Sequence, residues 1–143
     1  MIRRIQSLLA ALAATLIAAV TFTVATAAPA FAFGAETFGC RVSPGVILTW
    51  EPVCTNSRPA TSYNAGFAVL NTSGTYTFSW QIDGPHLGII TGCDAASNGC
   101  AVRVAGGSTD SVVRVTVTYS QNGQSATRSA TAIINGYCGG QLC

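Results

Sequence analysis

The segment Ser111–Ile134, SVVRVTVTYSQNGQSATRSATAII, constrains the fold more than any other part of this sequence. Apolar and polar residues alternate on both sides of Asn122-Gly123. That pair is preferred in a two-residue type I′ turn, because both central positions need φ > 0. Counting outward from the turn sets Tyr119 opposite Ala126, Val115 opposite Ala130 and Val113 opposite Ala132. On the other face Ser120 meets Ser125, Thr118 meets Thr127 and Thr116 meets Ser129. Both strands agree on which face is apolar, and a one-residue slip would destroy that agreement. Arg128 is the exception. It falls on the apolar face opposite Val117, where the hairpin overhangs the core or the register is bulged.

The same period of two recurs upstream. TYTFSWQI puts Tyr76, Phe78, Trp80 and Ile82 on one face and Thr75, Thr77, Ser79 and Gln81 on the other, as expected of a strand with one face in a core. Shorter candidate strands are GVILTW, AGFAVL, GII and AVRVA, separated by turns such as SPG, NTSG, DGP and AGGS. No amphipathic helical pattern competes with them. About seven short strands at this spacing predict an all-β, antiparallel sandwich. Its interior would draw on Phe67, Val69, Tyr76, Phe78, Trp80, Val113, Val115, Val117 and Tyr119.

The N-terminus reads as an export signal. Arg3 and Arg4 precede an uncharged apolar stretch from Ile5 to Ala25, and APAFA places Ala30 and Ala32 around Phe31. This is the charged, apolar and small-residue layout of a secretory signal peptide, residues 1–32, leaving Phe33–Cys143 as one domain. A membrane-anchoring helix and a lipid anchor on Cys40 are the alternatives, and release is the better reading: a secreted, extracellular protein with no membrane attachment after cleavage. Without Arg3 and Arg4 the chain's charge of +2 vanishes. Five arginines then balance five acids with no basic stripe, which excludes nucleic acid as a partner.

All six cysteines, Cys40, Cys54, Cys93, Cys100, Cys138 and Cys143, follow the leader. An even count in an oxidising compartment predicts disulfides. In TGCDAASNGC the spacing is too wide for a C-x-x-C redox pair or for close-spaced zinc ligands. Two short strands closing a hairpin would instead bring Cys93 and Cys100 face to face. With that bridge fixed, three pairings of the other four cysteines remain. Cys40–Cys54 across SPG with Cys138–Cys143 around GGQL is favoured; the competing scheme ties the domain ends, for example Cys40 to Cys138.

GTYTFSWQI followed by DSVVRVTVTYSQNGQSATRSATAII resembles bacterial immunoglobulin-like domains over roughly residues 65–134. The resemblance implies an immunoglobulin-like sandwich with the Trp80 strand central and the hairpin at one edge of the second sheet. No cysteine stands in Val113–Tyr119, so the inter-sheet bridge usual in antibody domains is not implied. GCDAASNGCAV is, more weakly, similar to the stapled loop of neocarzinostatin-type carrier proteins, which have a ligand cleft.

Function is less constrained. His86 is the single histidine; it lies in the turn DGPHLG near Asp83, with no G-x-S-x-G elbow. The five acids sit in no glycosidase-like or calcium-loop setting. The expectation is a non-enzymatic binding or interaction domain without cofactor or metal, acting through disulfide-braced loops. Its partner would be an extracellular protein, a glycan or a small molecule, and a protease inhibitor with an exposed braced loop is a further alternative. Candidate contact residues are Trp50, Tyr63, His86 and Asp94. Trp50 is core if it shares a face with Val46 and Leu48. If the strand ends before it, it could stack on a sugar beside Glu51 and Tyr63.

Overall fold

The computed structural model describes residues 33–45 and 49–143. The expected signal peptide, residues 1–32, and half of the expected GVILTW strand, residues 46–48, lie outside the described residues. Among the described residues ten strands, rather than about seven, follow in chain order: β1 (Thr37–Ser43), β2 (Val53–Thr55), β3 (Ser62–Leu70), β4 (Thr77–Asp83), β5 (Gly88–Gly92), β6 (Gly99–Ala105), β7 (Ser111–Gln121), β8 (Gln124–Ile134), β9 (Tyr137–Cys138) and β10 (Gln141–Leu142). The additional ones are short. β2, β9 and β10 have three, two and two residues, too few to show alternation.

Two four-stranded sheets carry the fold, in the orders β1-β3-β6-β5 and β2-β8-β7-β4. The pairings are antiparallel except β2 with β8, which run parallel from Val53↔Thr131 to Thr55↔Ile133. Asn56 extends that pairing: its side chain donates to the Asn135 carbonyl at 3.1 Å and accepts from the Asn135 amide at 2.7 Å. Buried Asn56 thus meets both demands of its amide.

The β7–β8 hairpin has the register read from its turn, from Ser111↔Ile134 to Gln121↔Gln124 without a shift. Asn122 and Gly123 take φ of 51° and 79°. Val117 does face Arg128. The unbroken ladder rules out a bulge, and buried Val117 and Tyr119 rule out an overhang of the whole hairpin. Arg128 is exposed because β2 covers β8 only at Thr131–Ile133, which leaves this stretch of β8 an edge. Along β8 the inner face goes from half-buried Ala126 near the tip through exposed Arg128 to buried Ala130, Ala132 and Ile134 at the far end.

The inner faces meet in two clusters. The larger holds Tyr63, Phe67, Val102, Val104, Val113 and Val115, and the smaller groups Val69, Tyr76, Phe78, Val117 and Tyr119. Half-buried Trp80 packs against both. Removing each of these side chains from water stabilises the fold by roughly 1.5–3 kcal/mol. Of the expected interior residues, Trp80 alone keeps a share of its surface in solvent.

The three disulfides are Cys40–Cys54, Cys93–Cys100 and Cys138–Cys143, with Cα separations of 5.8, 4.3 and 5.5 Å. The first is buried and links β1 of one sheet to β2 of the other. The domain therefore has a covalent tie between its sheets at their shared margin.

Candidate functional site

The site begins with alternation in β3 and β6. In β3, Tyr63, Ala65, Phe67 and Val69 point into the core, which leaves Asn64, Gly66 and Ala68 on the outer face. In β6, Cys100, Val102 and Val104 are inward and Gly99, Ala101 and Arg103 outward. The register sets Gly66 opposite Ala101 and Ala68 opposite Gly99. Four of the smallest side chains thus form one block in the middle of a sheet, the floor of a trough of about 510 Å³.

Trp50 forms one wall. The Trp50–Glu51 backbone crosses over Gly39 of β1, and the Cys40 amide donates to the Glu51 carbonyl at 2.8 Å. A Cβ on Gly39 would stand 2.9 Å from Trp50 C and Glu51 N, so this glycine is required by the crossing. The Arg41 guanidinium lies 4.3 Å from the centre of the Trp50 ring. Such a stack stabilises by about 0.5–1 kcal/mol where exposed and fixes the ring's orientation. Trp50 is therefore half-buried on the outer face of the first sheet and is not part of the core between the sheets.

Thr91 and Gly92 line the far side, and Ala96–Asn98 of the β5–β6 loop close one end. That loop is held from several directions. Asp94 accepts from the Ser97 hydroxyl at 2.7 Å and the Ala96 amide at 2.8 Å, and these bonds, led by that of Ser97, hold its carboxyl below the usual range. The Asn98 carbonyl accepts from Val69 N, the Ala95 carbonyl from Phe78 N and the Ser97 carbonyl from Trp80 Nε1, at 2.8, 3.0 and 3.1 Å. Cys93–Cys100 closes its base. The wall is rigid.

The structure separates the four sequence candidates. Trp50 lines the trough. Asp94 shapes the loop at its end by bonding within the loop. Tyr63 does not stand beside Trp50. Its ring is 1 % exposed in the core, and its hydroxyl donates to the Arg58 carbonyl at 2.9 Å and accepts from Ala60 N at 2.7 Å. Strand alternation turns it to the opposite face. His86 is exposed in the β4–β5 loop, with Nδ1 3.1 Å from the Gly84 carbonyl oxygen.

Gly66 went unread in the sequence. Glycine weakens a strand interior and often marks a close approach by a ligand or another backbone. An added Cβ at Gly66 would meet nothing within 4 Å, and its φ is not in the left-handed region. Unlike Gly39, it has no internal contact to account for it. The visible signal was a glycine at an outward position of AGFAVL.

Elsewhere, Glu36 is buried and accepts from the Tyr76 hydroxyl and, at 2.7 Å, from Gly34 N. Burial works to raise its pKa, but these bonds and the charge of Arg128 outweigh it, so the carboxyl titrates below its ordinary value. The Glu36 bond, with burial, pushes Tyr76 up to about 12. Among the described residues no group of three or more His, Cys, Asp and Glu side chains could hold a metal ion.

Comparison with family models, curated proteins and solved structures finds no match for this chain. The functional reading therefore rests on the trough and its walls.

Proposed function

We propose that this chain is an exported, non-catalytic binding domain of immunoglobulin-like build whose ligand lies in the trough on the first sheet. The strand order supports the build: β1-β3-β6-β5 faces β2-β8-β7-β4, the arrangement expected when seven core strands of such a sandwich gain a short extra edge strand. The disulfides fit an oxidising compartment. Lone His86 is hydrogen-bonding distance from its own loop, and the trough lining holds no acid or base to move a proton.

Gly66 carries the reading. A fold selected only for stability gains by replacing a strand glycine that has open space above it. Keeping it under an aromatic wall is what a bound ligand requires. The loops enter as walls and not as the contact surface itself. The Cys93–Cys100 loop is folded back by Asp94, so this loop offers a protease no extended, substrate-like strand.

The test is ligand capture by the purified protein and its Gly66→Thr variant from a mixed library of oligosaccharides, peptides and small molecules. A ligand retained by the parent and lost by the variant supports the site. Equal retention by both removes it.

A further inference from the structure

We infer that the trough takes a neutral glycan chain, a step that rests on the trough being the ligand site. The first reason is charge. The lining, from Trp50 and Thr91 through Ser97 and Asn98 to the glycine and alanine floor, carries no ionisable side chain, so no counter-ion awaits an acid or a base. Two cations of the same outer face stand outside that lining: Arg41 of β1 is stacked on Trp50, and Arg103 of β6 lies opposite Asn64 at the open end.

The second reason is backbone accounting. An extended peptide binds a sheet by adding to a free edge, where main-chain groups are unpaired. The floor strands are interior. β3 pairs with β1 and β6, and β6 pairs with β3 and β5, so neither has a ladder to offer. A peptide over this floor would leave its own amides without strand partners. A pyranose carries its polar groups on its rim and meets no such cost.

The third reason is shape. Without a Cβ at Gly66 or Gly99, and with methyl groups at Ala68 and Ala101, a flat ring can lie against the sheet. The ring face of Trp50 that Arg41 does not cover supplies the aromatic surface that suits the C–H face of a sugar. Thr91 supplies a hydroxyl, Asn98 its carboxamide oxygen (the nitrogen donates to the Val69 carbonyl at 3.3 Å), and Asn64 beyond the open end a further amide. Compact ligands bind tightly by being mostly enclosed, which a trough on a sheet face does not provide. A chain gains instead by presenting many equivalent rings to one site.

The experiment follows amide and indole NMR signals of the purified, oxidised protein during titration with cellohexaose, chitohexaose, maltohexaose and mannohexaose. Extended uncharged peptides and planar small molecules form separate arms. The expected result is saturable movement of Gly66, Gly99 and the Trp50 indole with at least one hexasaccharide, weakened about tenfold or more by Gly66→Thr. Gly66→Ala, a smaller filling, should weaken it less and guards against a variant that fails to fold. Failure of every hexasaccharide overturns the glycan assignment; if peptides or small molecules move the same signals in a Gly66-dependent way, the trough stands with another ligand. If no probe moves those signals, or their movement ignores Gly66→Thr, the trough itself is overturned.

Discussion

Threonine introduced at Gly123 and, separately, at Gly66 is the same chemical change with opposite expected results. At both positions an added Cβ meets no atom within 4 Å, so neither site resists the first atom of the new side chain. The difference is the backbone. Gly123 has φ of 79°, where a β-branched residue is strained by roughly 1–2 kcal/mol. The reduced freedom of the unfolded chain returns about 0.5 kcal/mol, leaving a net loss near 1 kcal/mol. For a domain of this size that lowers the thermal midpoint by about 4 °C. Gly66 lies in a strand at ordinary φ, where the unfolded-state effect and β propensity both favour threonine, by about 0.5–1 kcal/mol together. Its midpoint should rise by a few degrees. Thermal and urea unfolding of the disulfide-intact proteins would measure both. An unchanged Gly123→Thr midpoint would show that the turn does not need a left-handed residue. A fall at Gly66→Thr would show that the floor is already occupied and would remove the physical case for the trough.

Three further outcomes follow from the polar and covalent contacts. Glu36 titrates below its ordinary value in the folded protein, so its contribution is present above about pH 4.5 and is lost as pH falls through the lower folded value; Tyr76, pushed up to about 12, contributes fully below about pH 10 and loses that contribution as pH rises toward 12. Glu36→Gln should flatten the acid limb of a stability–pH curve and shift loss at the alkaline end to lower pH. Tyr76→Phe should cost about 1–3 kcal/mol by leaving a buried carboxylate short of a donor, read as a lower urea midpoint at pH 7. Removing Cys40–Cys54 should cost about 3 kcal/mol in loop entropy against about 2 for the exposed Cys138–Cys143, and alkylation before reduction should label no cysteine in the parent.

The hairpin was legible because turn chemistry and alternation are local and reinforce each other. Val113, Val115, Val117 and Tyr119 could be placed without knowing what covers them. The cysteine pairing was legible for a related reason, since each favoured bridge spans a short loop. What could not be read depends on contacts between distant segments. β2 is three residues long, and its parallel partner lies some eighty residues away, so no periodicity announces it. Tyr63 looked available beside Trp50 until β3 fixed which face each position takes. Glu36 shows nothing in sequence that would bury a carboxylate; Tyr76 and Gly34 supply the reason. Gly39 and Gly66 look equivalent as letters. One lies under a crossing chain and the other under open space, and only the tertiary structure separates them.

The buried Cys40–Cys54 bridge also decides how the domain carries tension. A pull on the N-terminal side that peels β1 as far as Cys40 passes through the sulfur atoms into Cys54, bypassing the chain between them. From there the force enters β2, while a pull on the C-terminal side reaches β8. These two strands run parallel, so opposite pulls slide one along the other and strain their hydrogen bonds together instead of opening them one at a time. The Asn56 clasp to Asn135 continues the same line of resistance. Beyond Cys40 a domain wired in this way carries tension along the β2–β8 margin, away from the β3 and β6 strands that floor the trough.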